Sequence, residues 1–424
     1  MSILGMTLIL MFLLLFIGIP IGAGIGIAAL FGIDMTPGLQ TTVFAQRMFN
    51  LFDSFPLMAV PFFILAGDIM QRGTIANSLL DLCKTLVGHL RGGLGHIAII
   101  TSLFYGALCG SAVAAVAAVG AIIIPAMVNE GYPRPYATAI ATAGGILGPL
   151  IPPSIALILV GSFGGIDVTK LFIGTIIPGC AVALGFLIVN AWTCRRHNYG
   201  IMHEKQPISA KLKAIWEAKW ALGVPVLILG SIYGGIATPT EAGAIGVIYA
   251  LFVETFITRS MSWKLLATSL ESSLSTLGMI FFVILCANGF GVLIQLYNLE
   301  NTIISFLQGI ISSKISFLFI LTLILLLLGT FLDGTVIIIV LAPLLVPIAK
   351  TYGIDPVHFG VYLSIAICIG SLTPPVGYNL YVGCSVGNVK IHELVASIIP
   401  FIISMIFVTL IVAYVPWLSL VFIQ

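Results

Sequence analysis

Gly148-Pro149-Leu150-Ile151-Pro152-Pro153-Ser154 interrupts one apolar stretch, and 222 positions later Gly370-Ser371-Leu372-Thr373-Pro374-Pro375-Val376-Gly377 interrupts another in the same way. Consecutive prolines remove two N–H donors and cannot continue a regular helix. Inside hydrocarbon every backbone N–H and C=O needs a partner, so an unwound stretch survives there only where it lines a polar cavity or binds something. At the same offset of 222, Gly131 falls on Gly353, Pro125 on Pro347, Val160-Gly161 on Val382-Gly383, Gly165 on Gly387, Ile176-Ile177-Pro178 on Ile398-Ile399-Pro400 and Gly67 on Gly289, with no gap. Shared apolar residues carry little weight in so greasy a chain. Shared Gly and Pro carry more, because they set backbone shape.

Composition supplies the solvent for those breaks. Hydrophobic residues make up 60% of the 424 and charged residues 8%, with a mean hydropathy of +1.19. A soluble domain carries roughly 25% charged residues, and a soluble chain this apolar would expose large aggregating patches. A bilayer is the medium such side chains need. Runs of about 20 apolar residues fit spanning helices, and outer-membrane barrels lack them. The net charge of +2 implies neither nucleic acid nor an acidic partner. The seven cysteines form no CxxC pair and read as small core residues. The histidines have no metal-ligand spacing. The run Ile3 to Leu30 has no basic leader and is long for a signal peptide, so a retained span is expected. No Ser/His/Asp grouping, HExxH or Walker motif is present, which argues against an enzyme.

The apolar runs predict an all-α polytopic protein with spans at 3–31, 55–72, 95–129, 137–163, 171–193, 220–237, 241–258, 275–296, 315–350, 358–384 and 394–421. Two of them, 95–129 and 315–350, are too long for one crossing. Each has a polar centre, Cys109-Gly110-Ser111 and Leu332-Asp333-Gly334-Thr335, which predicts a re-entrant helical hairpin. Two others, 137–163 and 358–384, hold the proline breaks and predict broken helices. The division expected is an N-terminal scaffold segment 1–54, a first repeat 55–193, a basic loop 194–219, scaffold and linker helices 220–274, and a second repeat 275–424. The segment 32–54 is too polar to assign. Arg195, Arg196, Lys205, Lys211, Lys213 and Lys219, against Glu204 and Glu217, place the basic loop in the cytoplasm by the positive-inside rule. Its tail, Ile208 to Trp220, reads as an amphipathic helix on the membrane surface.

About five crossings separate the starts of the two repeats, and hairpins do not count because they return to their own side. An odd number inverts the second copy. Inverted repeats with broken helices at mid-bilayer are the pattern of secondary transporters. Half-helix N-termini favour an anion, while C-termini and free carbonyls favour a cation. Two such clamshells offer two cation sites around one anion site. Uncharged carbonyl and hydroxyl oxygens suit sodium, and titratable side chains for a proton relay are scarce. Asp333 is the one acid at a hairpin centre, where a charge costs at least about 3 kcal/mol unless paired or hydrated. It reads as a functional residue, as a helix cap, or as both. Ser111 is its repeat mate, and Thr335, Asn379 and Tyr381 complete the substrate-facing candidates, with packing as the alternative for the last two.

Gly234-Gly235-Ile236-Ala237-Thr238-Pro239-Thr240-Glu241-Ala242 resembles the G-G-I-x-T-P-T-E-A hallmark of the large membrane subunit of TRAP transporters, the tripartite ATP-independent periplasmic transporters. The hairpin, break and ending patterns agree along the whole chain. The resemblance implies a bacterial inner-membrane protein with a scaffold domain and a moving transport domain, working as an elevator on a sodium gradient with about two coupling ions. It implies a small four-helix membrane subunit, expected here as a separate chain, and a periplasmic substrate-binding protein. Substrates would be small carboxylates: C4-dicarboxylates, sialic acid and others, with sialic acid as the first expectation. It gives Glu241 a structural role. It places sodium between hairpin and break, at Ala107, Gly148, Ile151 and Ser154 in the first copy and at Gly329, Gly370, Thr373 and Val376 in the second. The competing expectation is a stand-alone sodium–dicarboxylate symporter, which needs no binding protein.

Overall fold

A computed structural model describes residues 3–50, 53–87, 91–201, 207–311 and 313–423. Its regular elements are all helices, with no strand among the described residues. Seven helices there are long and apolar enough to cross a bilayer, and up to nine if each of two bent pairs is one span. The longest, Val168–His197 and Trp263–Leu296, have 30 and 34 residues, about 45 and 51 Å at 1.5 Å per residue.

The chain folds as two copies of one helix series. Ile3–Phe16, Ile21–Asp34, Ala59–Arg72 and Ile75–Val87 have counterparts in Lys219–Tyr233, Pro239–Phe252, the second half of Trp263–Leu296 and Leu299–Ile310. Both expected hairpins form: Gly93–Cys109 with Ala112–Asn129, and Lys314–Phe331 with Gly334–Thr351. The first broken helix is Arg134–Gly145 and Ile155–Gly164; the second is Pro356–Gly370 and Tyr378–Gly387. Val168–His197 and Ile391–Tyr414 close the copies. Five crossings, at 59–72, 134–164, 168–197, 219–233 and 239–257, lie between the equivalent points 59 and 281, so the second copy is inverted.

Several elements differ from the sequence expectation. The expected span 3–31 is two helices, because Gly18 turns the chain at φ +90° and Pro20 brings no N–H to the second helix. Thr42–Asn50 is helical within the segment left unassigned, and the span expected from 275 begins at Trp263. Their polar residues hide the apolar run but leave one apolar face. Ile75–Val87 and Leu299–Ile310 escape a search for unbroken apolar runs for the same reason. Ile208–Glu217 is helical as expected, and Ile208, Leu212, Ile215 and Trp216 form an exposed apolar stripe. Lys205 and Glu204 lie outside the described residues.

Lipid is as apolar as leucine, so helices in a membrane associate through close backbone approach at small residues. Gly22 and Gly26 seat Ile21–Asp34 against Phe282 and Cys286 of Trp263–Leu296. Gly383 and Gly387, likewise four apart, press against Thr142 and Thr138. The last half of the second broken helix thus rests on the first half of the first. Ala112–Asn129 also packs on Tyr378–Gly387, and Gly334–Thr351 on Ile155–Gly164. Each hairpin therefore lies against its own break and the other copy's half-helix. A second group, Ile21–Asp34, Ala59–Arg72, Pro239–Phe252 and Trp263–Leu296, packs together beside this core.

Candidate functional site

Each hairpin turns by stopping one helix and capping the next. Gly93–Cys109 ends at Gly110, whose φ of +59° lets its N–H reach Gly106 O at 2.8 Å. Ser111 is extended, and its Oγ accepts from Ala114 N at 3.4 Å, capping Ala112–Asn129. In the second hairpin Leu332 is extended, and Asp333 Oδ1 accepts from Thr335 N at 2.8 Å, capping Gly334–Thr351. The two repeat mates do the same local work: each caps the second helix of its hairpin.

The breaks are held by their own polar atoms. Ser154 Oγ donates to Pro149 O at 2.5 Å and accepts from Leu157 N at 3.4 Å, starting Ile155–Gly164. In the second break Thr373 Oγ1 donates to Ile369 O at 2.8 Å, and Gly377 N donates across to Thr330 O at 2.8 Å. Pro152–Pro153 and Pro374–Pro375 are both cis. The tips sit on the breaks without room for a side chain. A Cβ on Gly106 would lie 2.5 Å from Gly148 Cα, one on Gly148 would lie 2.9 Å from Ser111 O, and one on Gly370 would lie 2.4 Å from Gly329 Cα.

Between the tips and the neighbouring helix group lies a cavity of about 730 Å³. Ser111, Asp333 and Thr335 line it, as do the starts of four half-helices at Ala112, Ile155, Gly334 and Tyr378. A helix start carries roughly half a positive charge, which the Ser111, Ser154 and Asp333 caps at three of these four satisfy in part. The far wall brings Asp68, Gln71 and Arg72 from one helix and Ser272 and Thr276 from another. Sequence reasoning missed these five. Asp68, Gln71 and Arg72 stand at i, i+3 and i+4, a polar face at the end of an apolar span, which is the signal that marks them.

Asn379 and Tyr381 are not among the cavity-lining residues. Asn379 is fully buried with neither side-chain atom hydrogen-bonded, and Tyr381 is exposed. The eight positions assigned to sodium lie on the two hairpins and the two breaks, four in each copy. Ala107, Gly148, Ile151 and Ser154 are buried; Gly329 and Gly370 touch; Thr373 and Val376 are half-buried. In the first copy Gly106, rather than Ala107, makes the backbone contact with Gly148. The donor set fits a hard monovalent cation. The Ser154 and Thr373 hydroxyls spend their protons on carbonyls, which leaves oxygen lone pairs for an ion.

Residues 8–418 match the family described as the tripartite ATP-independent periplasmic transporter, DctM component. The chain belongs to that family. It is 38% identical over 410 residues to the isethionate TRAP transporter permease protein DctMQ of Oleidesulfovibrio alaskensis, a match covering 97% of this chain and 65% of that one. It is 33% identical over 407 residues to the sialic acid TRAP transporter large permease protein SiaM of Vibrio cholerae, covering 96% and 95%. It is 34% identical over 427 residues to the C4-dicarboxylate TRAP transporter large permease protein DctM of Rhodobacter capsulatus, covering 97% and 96%. Among solved structures, the Alcanivorax borkumensis YdaH transporter shares the fold at a TM-score of 0.64 and 16% identity, over 89% of this chain and 88% of that one. MtrF of Neisseria gonorrhoeae does so at 0.60 and 15%, over 88% and 82%. This DctM-family chain is thus a multi-pass membrane permease component and not an enzyme.

Proposed function

We propose that this permease carries a small organic acid into the bacterial cell across the inner membrane, driven by sodium. The observation that carries the reading is the convergence of four half-helix starts, Ser111 and Asp333 on one cavity between the two helix groups. The helix starts attract the acid group, and Ser111 and Asp333 take its hydroxyls. Sodium held between each hairpin and its break would fix the tips, so that the solute is gripped only when the ions are bound. That is the coupling. The hairpins and broken helices move as one transport domain against a scaffold built from the second group, as an elevator. A periplasmic binding protein delivers the solute, and a small membrane subunit supports the scaffold. The substrate class is a small hydroxylated acid, with sialic acid favoured because its hydroxyls match Ser111, Asp333 and Thr335. With two sodium ions and a monovalent acid the cycle moves one net charge, worth about 2.3 kcal/mol per 100 mV.

The test is uptake into proteoliposomes holding the large and small subunits, with the binding protein outside and an inward sodium gradient. Labelled N-acetylneuraminate, succinate and isethionate are compared. Accumulation that requires sodium and the binding protein is expected for one of them. Uptake by this chain alone would instead support the stand-alone symporter, and no accumulation of any acid would end the reading.

A further inference from the structure

The two walls of the cavity belong to different helix groups, and they carry different charges. The hairpin side offers helix starts and Asp333, and the scaffold side offers Asp68 and Arg72. Arg72 is the one cationic side chain among the lining residues. It ends Ala59–Arg72 four residues after Asp68, whose Oδ2 accepts from Ser273 Oγ at 2.7 Å. Among the described residues the Arg72 guanidinium has no ion-pair partner. An ionised side chain on a membrane cavity reads as functional by default.

Sidedness follows from the basic helix end. Arg195, Arg196 and His197 close Val168–His197, which puts that end in the cytoplasm. Counting crossings back from it puts Arg72 at the cytoplasmic end of its helix. Pro20, Ile21 and Ser272, also on the scaffold wall, fall in the same half. The cavity therefore meets the cytoplasmic half of the scaffold. The offset of 222 carries Asp68, Gln71 and Arg72 onto Phe290, Leu293 and Ile294. The periplasmic half of the scaffold thus has apolar residues where the cytoplasmic half has a cation.

We propose that Arg72 binds the acid group of the substrate in the cytoplasm-facing state only, as the residue that receives the solute before release. The inference rests on the uptake reading above. Helix starts, Ser111 and Asp333 travel with the solute, whereas Arg72 stays on the scaffold and meets it at one end of the stroke. A guanidinium fork matches a carboxylate or sulfonate with two parallel hydrogen bonds, which an ammonium cannot reproduce. Arg72 stabilises the acid at its arrival and so speeds the inward step, without entering the loading step at the periplasmic face.

Proteoliposomes with both membrane subunits and the binding protein are assayed with N-acetylneuraminate, succinate and isethionate. Wild type, Arg72→Gln, Arg72→Lys and the double variant Asp68→Asn/Arg72→Gln are compared. Arg72→Gln is expected to lower the maximal uptake rate at least tenfold and leave the half-saturating concentration of loaded binding protein unchanged. Arg72→Lys recovers part of the rate, and the double variant stays as slow as the single one. Binding of the transported acid to the purified complex weakens about tenfold in Arg72→Gln and loses most of its dependence on ionic strength. An unchanged rate and affinity in Arg72→Gln, or full recovery in the double variant, overturns the proposal, because Arg72 is then only a partner for Asp68. Failure of wild type to take up any of the three acids overturns the uptake reading instead.

Discussion

Gly370→Ala adds one methyl group at the contact between the second hairpin and the second break. The new Cβ would sit 2.4 Å from Gly329 Cα, 2.6 Å from its carbonyl carbon and 3.1 Å from its nitrogen. Ordinary contact begins near 3.4 Å, so the two backbones must separate by about 1 Å, since 3.4 − 2.4 = 1.0. No rotamer relieves the clash, because every opposing atom is main chain. Overpacking of this kind costs about 1–3 kcal/mol. The helix propensity of alanine works the other way, by about 0.5–1 kcal/mol. A shift of about 1 Å in an organised site costs on the order of a hundredfold in function. The sodium concentration for half-maximal uptake is expected to rise at least tenfold, about 1.4 kcal/mol, with a modest fall in melting temperature. Gly278→Ala and Gly291→Ala are the controls, because an added Cβ there meets nothing within 4 Å. They should keep wild-type sodium dependence and melt at or slightly above the wild-type temperature. The assay is sodium-titrated proteoliposome uptake beside a melting curve in detergent. Wild-type sodium dependence and stability in Gly370→Ala would falsify the assignment of that contact to an ion-gripping clamshell.

Three further outcomes follow from other contacts. Asp333→Ala should lose uptake at least a hundredfold, with assembly retained in size-exclusion chromatography. The lost cap costs about 1 kcal/mol, so Asp333→Asn, which keeps a capping oxygen, should restore stability but not uptake. Normal sodium-dependent uptake in either variant removes Asp333 from the mechanism. Glu254 is fully buried and accepts from Thr74 N at 2.8 Å, Ile75 N at 3.0 Å and Thr258 Oγ1 at 2.9 Å. Glu254→Ala strands the buried N–H of Ile75 and the part-buried N–H of Thr74, the buried one costing about 1–3 kcal/mol, and should lower the melting temperature by several degrees; an unshifted melt would contradict this. Ile208 and Ile236 are 77% and 82% exposed and lie at opposite membrane faces by the crossing count. In a cysteine-free background an impermeant thiol reagent should label Ile236→Cys in intact cells and Ile208→Cys only in inverted vesicles. Labelling of both from one side would refute the inverted topology.

Much of the architecture is readable in one dimension because glycine and proline dictate backbone shape wherever they stand. Pro152-Pro153 and Pro374-Pro375 end helices without help from neighbours, and their shared offset exposes the repeat. Hydropathy gives spans but not faces. Ile75–Val87 and Leu299–Ile310 are amphipathic, so an apolar-run search passes over them, although their matched positions in the two copies identify them once the repeat is traced. Ser111 and Asp333 were legible because a polar residue at a hairpin centre has few reasons to be there. Asn379 and Tyr381 were not. Both follow the second break, but neighbouring packing decides which side of Tyr378–Gly387 turns to the cavity, and it turns both away.

By itself the sequence determined a bilayer as solvent, two copies of one helix series with opposite orientation, and two unwound segments at equivalent positions. Each of those is a local consequence of composition or of backbone-restricting residues at a fixed spacing. Only the tertiary structure decided which distant side chains share a cavity. Asp68 and Arg72 stand at least 200 positions from Ser272 and more than 250 from Asp333 in the chain, yet all four line one wall or the other of the same space. Their meeting depends on how small residues let helices close on one another. That packing is a property of pairs of surfaces, and no single stretch of chain contains it.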